Sequence, residues 1–341
     1  MSTEPILLLT GADVLELLTL DECIRAVEHA FRLHGENKVA PPGVLGVHVP
    51  GGGFHIKAGV LETTRAYFAA KVNANFPENP RRFGLPTIQG VIVLCDAKDG
   101  RVFAMMDSIE ITALRTAAAT AVAAKHLARS DAHIVTVCGC GIQGRAQLKA
   151  LTRVRSLQKA FAYDIDQQAA ARFARDLSLE AGIPVTVATD LQEAVMASDI
   201  CVTCTPSHEP FIDHVPKGIF IAAVGADHPR KQELHPELMK SSKVVVDVLE
   251  QCVAMGDLHH AIEAGIMSES DVHAVLGEVV AGRKPGREHD DEIIIFDSTG
   301  MALQDVATAA AVYEKAAGLK RGLWLNLAPV IAEPPLQKAA L

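Results

Sequence analysis

The chain has 341 residues, a formal net charge of −9, 49% hydrophobic residues and only 4% aromatic ones, which predicts about two domains with cores built from Ala, Val, Ile and Leu. The basic runs are short (Arg81-Arg82, Lys284 to Arg287), which argues against a nucleic-acid partner. No apolar stretch approaches the ~18 residues of a membrane span and no charged-then-apolar leader opens the chain, so a soluble, cytoplasmic protein is expected.

Taken in order, Leu7 to Leu9 reads as a short strand, and Thr19 or Asp21 caps a helix that ends near Gly35. Pro41-Pro42 stops any continuation. Strand patterns follow at Val44 to Val49, Phe54 to Ala58, Tyr67 to Val72, Thr87 to Leu94 and Arg101 to Ala104, with Gly51 to Gly53 and Lys98 to Gly100 as turns. This mostly antiparallel region is a candidate substrate domain. A helix opened by Asp107 or Ser108 then runs to about Leu127. It is rich in small residues and carries Arg115 in its first half, either solvated or aimed at a ligand.

Strands at about 134–138, 159–163, 185–188, 199–203, 219–224 and 243–247 then alternate with helices at about 142–154, 167–181, 190–196 and 235–240. That alternation predicts a doubly wound parallel sheet. Helical stretches around 258–264 and 271–282 precede a strand at Ile293 to Phe296 and a long helix from Met301 to Ala317. The last twenty residues, with Trp324 and several prolines, read as a return onto the first domain or a loose tail. The expected fold class is α/β: a Rossmann-type, doubly wound domain over 126–304 and an α+β substrate-binding and dimerisation domain over 1–125, with 305–341 returning to it.

The strand 134–138 stops at Gly139, and Gly139, Gly141 and Gly144 form G-x-G-x-x-G before a helix. One glycine makes the turn, one lets backbone approach a pyrophosphate, and one allows close helix–strand packing. The phosphates then lie on free N–H groups at the positive end of the helix. The pattern alone is weak, because glycine turns follow many strands in ordinary α/β crossovers. Asp164, closing the next strand 20 residues beyond Gly144, adds the carboxylate that ribose hydroxyls require. It favours NAD over NADP, since a 2′-phosphate would meet a like charge. The loops Cys204-Thr205-Pro206 and Gly225-Ala226-Asp227 end strands of the same sheet and point at the cofactor.

Seven scattered cysteines without a secretory leader are expected to be reduced thiols, Cys201-x-x-Cys204 included, and Cys140 to serve local packing. Cys201-x-x-Cys204 has redox or zinc spacing but no second pair, neither H-E-x-x-H nor a paired Cys/His module is present, and His259-His260 reads as a solvated pair near a helix start.

At Lys71-Val-Asn-Ala-Asn, Leu114-Arg-Thr-Ala-Ala, Gly139-Cys-Gly-Ile-Gln, Val224-Gly-Ala-Asp and Phe296-Asp-Ser-Thr-Gly the chain resembles the ornithine cyclodeaminase/mu-crystallin family, over about residues 15–330. Its members include ornithine and lysine cyclodeaminases, cyclic imine reductases, alanine dehydrogenases and mu-crystallin, and the resemblance implies a homodimer. It also implies roles for residues at matching motifs. Lys71 and Arg115 would hold the substrate carboxylate, Lys71 also serving catalysis, and Asp227 would be the catalytic carboxylate beside the substrate nitrogen. Thr87, Thr116, Gly139, Gly141, Ile142, Gln143, Gly144, Asp164, Thr205, Gly225 and Ser298 would bind the cofactor, with Thr299 near the nicotinamide.

Departures from the family pattern bear on the substrate. Where ornithine cyclodeaminases carry an acidic residue, this chain reads Phe54-His-Ile-Lys, with His55 in the acidic position and Lys57 in an apolar one. Gly43 follows Pro42 where an arginine is usual. Lys57 either replaces that charge in binding substrate or is a core-edge lysine with its head in water. Loss of the acid counts against a δ-ammonium substrate. The expected activity is NAD(P)-dependent hydride transfer at the C–N carbon of an amino or imino acid, with cyclic imines such as 1-pyrroline-2-carboxylate leading. The alternatives are a diamino-acid cyclodeaminase and a ligand-binding protein without turnover.

Overall fold

The computed structural model describes residues 5–327. Two sheets carry the fold. The first has seven strands in the order Leu323–Leu325, Ile6–Leu9, Val102–Asp107, Ile88–Asp96, Ala66–Asn75, Gly52–Glu62, Gly43–Val49. It is antiparallel except where Ile6–Leu9 runs parallel to Val102–Asp107. Period-two alternation sets its faces. Leu61 and Gly59 point into the core while Val60 between them is exposed, and the helix Ala302–Leu319 packs on the buried face of Gly52–Glu62 and Ala66–Asn75. Leu323–Leu325 accounts for part of the expected return of the C-terminus; its prolines lie outside the described residues.

The second sheet has eight strands, all parallel, in the order Ala274–Val275, Lys243–Val246, Ile294–Asp297, Phe220–Ala223, Ile200–Thr203, Ile134–Cys138, Lys159–Tyr163, Val185–Val187. The strands Ile200–Thr203, Phe220–Ala223 and Ile294–Asp297 are buried throughout, as a sheet covered on both faces requires. Ile134–Cys138 has Lys159–Tyr163 on one side and Ile200–Thr203 on the other. The connections therefore diverge there, and a ligand crevice opens beyond its carboxyl end.

Thr19 caps the helix Leu20–Gly35 through a reciprocal box with Glu22, while Asp21 pairs with Arg153. A second box, Thr10 with Asp13, starts a helix Gly11–Leu17 that apolar periodicity did not reveal, because it spans only two turns. The stretch 271–282 is not one helix. His273 N–H donates to the Val244 carbonyl and draws Ala274–Val275 onto the sheet edge, leaving only Leu276–Val280 helical. Gly277 lies against Gly35, where a Cβ would stand 1.9 Å from the Gly277 carbonyl oxygen. The helices Leu249–Met255 and Asn79–Phe83 were also unforeseen. His259 and His260 are not a solvated pair: both are partly buried, with ring nitrogens on the Val253 and Lys231 carbonyls. The seven cysteines are free thiols.

Candidate functional site

The crevice begins at the glycine loop. Gly139 has φ 102°, and a Cβ on Gly144 would lie 2.0 Å from the Gly139 carbonyl oxygen. Gly141, with nothing within 4 Å of a Cβ position, is the N-cap of the helix Ile142–Leu151 and offers no capping side chain. The first N–H groups of that helix are thus presented to a ligand at its positive end. Asp164 closes the next strand. It accepts from Cys140 N–H at 2.8 Å and from Asp166 N–H at 2.9 Å, which fixes its carboxylate beside the loop. Burial, with Asp164 adding to it, pushes the Cys140 thiol up to about 12, so this cysteine is an inert packing residue.

Buried carboxylates organise the loops at the other strand ends. Glu233 accepts from Thr205 N–H (2.6 Å), Thr205 Oγ1 (2.7 Å) and Gly225 N–H (3.0 Å), so one side chain ties two loops together. A Cβ on Gly225 would lie 2.4 Å from that carboxylate. Burial and the charge of Asp257 push Glu233 up to about 7. Asp247 accepts from Ser298 Oγ at 2.8 Å and Gly300 N–H at 2.6 Å and so shapes the turn after Ile294–Asp297.

Across the crevice stands a buried cationic cluster. Lys57 and Lys71 are direct neighbours on adjacent strands, and Arg115 joins them from the helix Ile109–Leu127. Asp305, in the first turn of Ala302–Leu319, accepts from Lys71 Nζ at 2.9 Å and Arg115 Nε at 3.1 Å. Arg115 Nη1 also donates to Gln304 Oε1 at 3.0 Å. Lys57 Nζ donates to the Thr299 and Gly300 carbonyls, both at 2.7 Å. Neither the solvated Arg115 nor the water-facing Lys57 is found: Arg115 is 6% exposed and Lys57 9%. Burial, reinforced by Arg115 and opposed by Asp305, brings Lys71 down to about 7. Lys57 is lowered by burial and Arg115 as well. For Asp305 burial acts upward, but Lys71 and Arg115 outweigh it and hold the carboxyl below its usual range.

A cavity of about 550 Å³ lies between the loops and this cluster. It brings together Thr87, Arg115, Thr116, Gln143, Thr205, Gly225, Asp227 and Ser298, with Thr299 beside them. Gln143 Oε1 and Asn75 Oδ1 are buried there without hydrogen-bond partners. Gly139, Gly141, Ile142, Gly144 and Asp164 sit apart from its lining, at the phosphate-loop end, and Lys71 and Lys57 lie behind Arg115 and the Thr299–Gly300 turn. His55 faces a second, adjoining cavity of about 390 Å³ that shares Asp227 and Lys231 with the first. Asp227 is ringed by protein yet keeps half of its side-chain surface open to solvent, and Lys231 Nζ donates to it at 2.6 Å. Burial acts to raise its pKa, but Lys231, Lys57 and His55 prevail and lower it. The lysines opposing burial therefore decide the outcome.

Asp305, Gln304, Glu233 and Asp247 were absent from the residues expected at the site. Asp305 alone left a signal, as the single charged residue in the small, apolar stretch from Ala302 to Tyr313.

Solved structures of known proteins share this fold. An archaeal alanine dehydrogenase dimer with bound NAD is 40% identical, covering 95% of this chain and 100% of that one, with a TM-score of 0.91. The Δ1-pyrroline-2-carboxylate reductase of Thermococcus litoralis, in complex with NADH and L-proline, is 36% identical over 93% of this chain and 99% of that one, with a TM-score of 0.89. The iminosuccinate reductase of Paracoccus denitrificans with NAD+ is 31% identical over 95% and 100%, with a TM-score of 0.85. With its residues 5–320 matching that family, the chain belongs to the ornithine cyclodeaminase/mu-crystallin family.

Proposed function

We propose that the protein is an NAD-dependent oxidoreductase that interconverts an α-imino acid and the corresponding α-amino acid. The observation that carries this reading is the sharing of one carboxylate, Asp305, by Lys71 and Arg115 beside a cavity that Gln143 and Asp227 also line. Three buried cations against Asp305 leave an excess of positive charge for a substrate carboxylate. The first N–H groups after Gly141 suit a pyrophosphate, Asp164 the adenosine ribose, and Thr205, Gly225 and Ser298 the nicotinamide end. A bound reduced nicotinamide supplies hydride to the imine carbon. The residues of the chain do the rest. Lys71 and Arg115 hold the carboxylate so that the C–N carbon faces the Thr205 and Ser298 side, and the ionised Asp227 relays to the nitrogen the proton that solvent supplies. Net reduction consumes one NADH and one proton per imine.

The ring-closed member of this substrate class is 1-pyrroline-2-carboxylate, and its open-chain members are the imines formed from 2-oxo acids and ammonia. The same grip serves both. Cyclodeamination is disfavoured, because the recess beyond Asp227 carries His48, His55 and His228 rather than a further acid for a terminal ammonium. Purified protein with NADH is offered each imine while the reduced-nicotinamide absorbance is followed, and ornithine with NAD while free ammonia is followed. NADH consumption with an imine is the expected result. Ammonia from ornithine without net change in NADH would overturn it.

A homodimer is proposed with it. The edge strand Gly43–Val49 is exposed along its whole length and bears Val44, Leu45, Val47 and Val49, an apolar surface that a second copy would cover.

A further inference from the structure

The face of the first sheet that supplies Lys57 and Lys71 continues past them. Residues two apart on a strand share a face, so Lys57, His55 and Gly53 follow one another, opposite Lys71, Asn73 and Asn75 on the neighbouring strand. His55 thus stands one repeat, about 6.7 Å, beyond the cationic cluster on the same face. It opens into the adjoining cavity of about 390 Å³, whose lining also includes His48, His228, Arg230 and Lys231 and whose single acid is Asp227. The histidines form a connected group: the His48 ring is 6.5 Å from that of His55 and 5.8 Å from that of His228, edge to face in both cases. Asp227 is already matched by Lys231 at 2.6 Å. The recess therefore presents Arg230 and four imidazoles, those of His48, His55, His228 and His208, with no second carboxylate among its lining residues.

We propose that this recess receives a second acid group, and that the substrate is a short α-imino dicarboxylate or its amino-acid counterpart. The inference rests on the oxidoreductase reading above. Lys71 and Arg115 take the carboxylate next to the C–N carbon, and His55, His48, His228 and Arg230 take the distal one. Asp227 and the nicotinamide end of the crevice lie between the two grips, where the reacting carbon must be. A monocarboxylate leaves the basic recess to water. A diamino acid brings a positive charge against it. The distal carboxylate gains charge-assisted hydrogen bonds that a shorter imino acid does not make, a difference that corresponds to roughly tenfold or more in kcat/KM.

The test compares NADH-dependent turnover of imines formed in place from ammonia and either oxaloacetate or 2-oxoglutarate with those formed from pyruvate or 2-oxobutyrate. Added 1-pyrroline-2-carboxylate serves as a further monocarboxylate. The expected result is a kcat/KM at least about tenfold higher for one of the dicarboxylates. Arg230→Gln should shrink that preference at least about fivefold, carried by KM for the dicarboxylate, with turnover of the monocarboxylate reporting that the variant is folded. Equal or better turnover of the monocarboxylates, or an Arg230→Gln variant that keeps the full preference, overturns the dicarboxylate assignment and leaves the oxidoreductase reading standing. No NADH consumption with any imine overturns both.

Discussion

Replacing Asp305 by asparagine removes a charge without opening a cavity, so its effect isolates the electrostatics of the cationic cluster. Asp305 is 2% exposed, bonds both Lys71 and Arg115, and has Lys57 close by. Stripping the carboxylate from a buried ion pair costs about 3–5 kcal/mol, because the cations are left uncompensated. With an unfolding entropy of ~2.1 cal/mol/K per residue, a chain of this length loses about 1.4 °C per kcal/mol, or roughly 4–7 °C of melting temperature. The loss depends on pH. Burial brings Lys71 to about 7 in the folded protein against 10.5 for a free lysine, so between these values the unfolded chain binds more protons and stability rises with pH. Asp305 acts to raise the Lys71 pKa, so in Asp305→Asn it falls further and that rise begins at lower pH. Thermal melts of both proteins on either side of pH 7 measure this, with and without a carboxylate ligand. The ligand should stabilise the variant more than the parent, because its acid group supplies the missing charge. A variant melting within about a degree of the parent at neutral pH, or gaining no more from the ligand, would refute the argument.

Other expectations follow from the same geometry. kcat/KM should fall as pH rises through about 7, where free Lys71 loses the proton that lets it hold a carboxylate, and Lys71→Arg should displace that limb upward. Asp227→Asn should lower kcat by roughly 10²–10⁴ while NADH titration by fluorescence gives an unchanged affinity. Lys231→Met removes the principal charge holding Asp227 down, so in the amine-oxidising direction, where Asp227 must accept a proton, the acidic limb of the pH profile should move upward. Gly144→Ala places a methyl 2.0 Å from the Gly139 carbonyl oxygen, and NADH binding should be lost in a calorimetric titration.

How much of this the sequence disclosed depends on the range of the physics involved. The parallel sheet was readable because each strand is a local β-branched or apolar run and each crossover a local helix. The glycine loop was readable because its three jobs fall within six residues. The helices that escaped notice, Gly11–Leu17 and Asn79–Phe83, are too short for periodicity to register, and the breakdown of 271–282 comes from Ala274–Val275 pairing with Lys243–Val246, a contact across the fold. The site divides the same way. Lys71, Arg115 and Asp227 stand in recognisable motifs, whereas Asp305 and Glu233 act through partners 234 and 28 residues away.

Glu233 shows why such residues matter to the chemistry. The loops bearing Thr205 and Asp227 come from neighbouring strands and share no sequence, yet each hangs from the same carboxylate, which is itself positioned by Asp257 accepting from the Glu233 and Leu234 N–H groups. Substituting Glu233 by glutamine replaces one acceptor oxygen by a donor, so either Thr205 or Gly225 loses its partner. If that carboxylate sets the spacing between the nicotinamide end of the crevice and Asp227, the substitution should lower kcat more than it weakens NADH binding. A variant that loses NADH affinity alone would show that Glu233 merely supports the Thr205 loop.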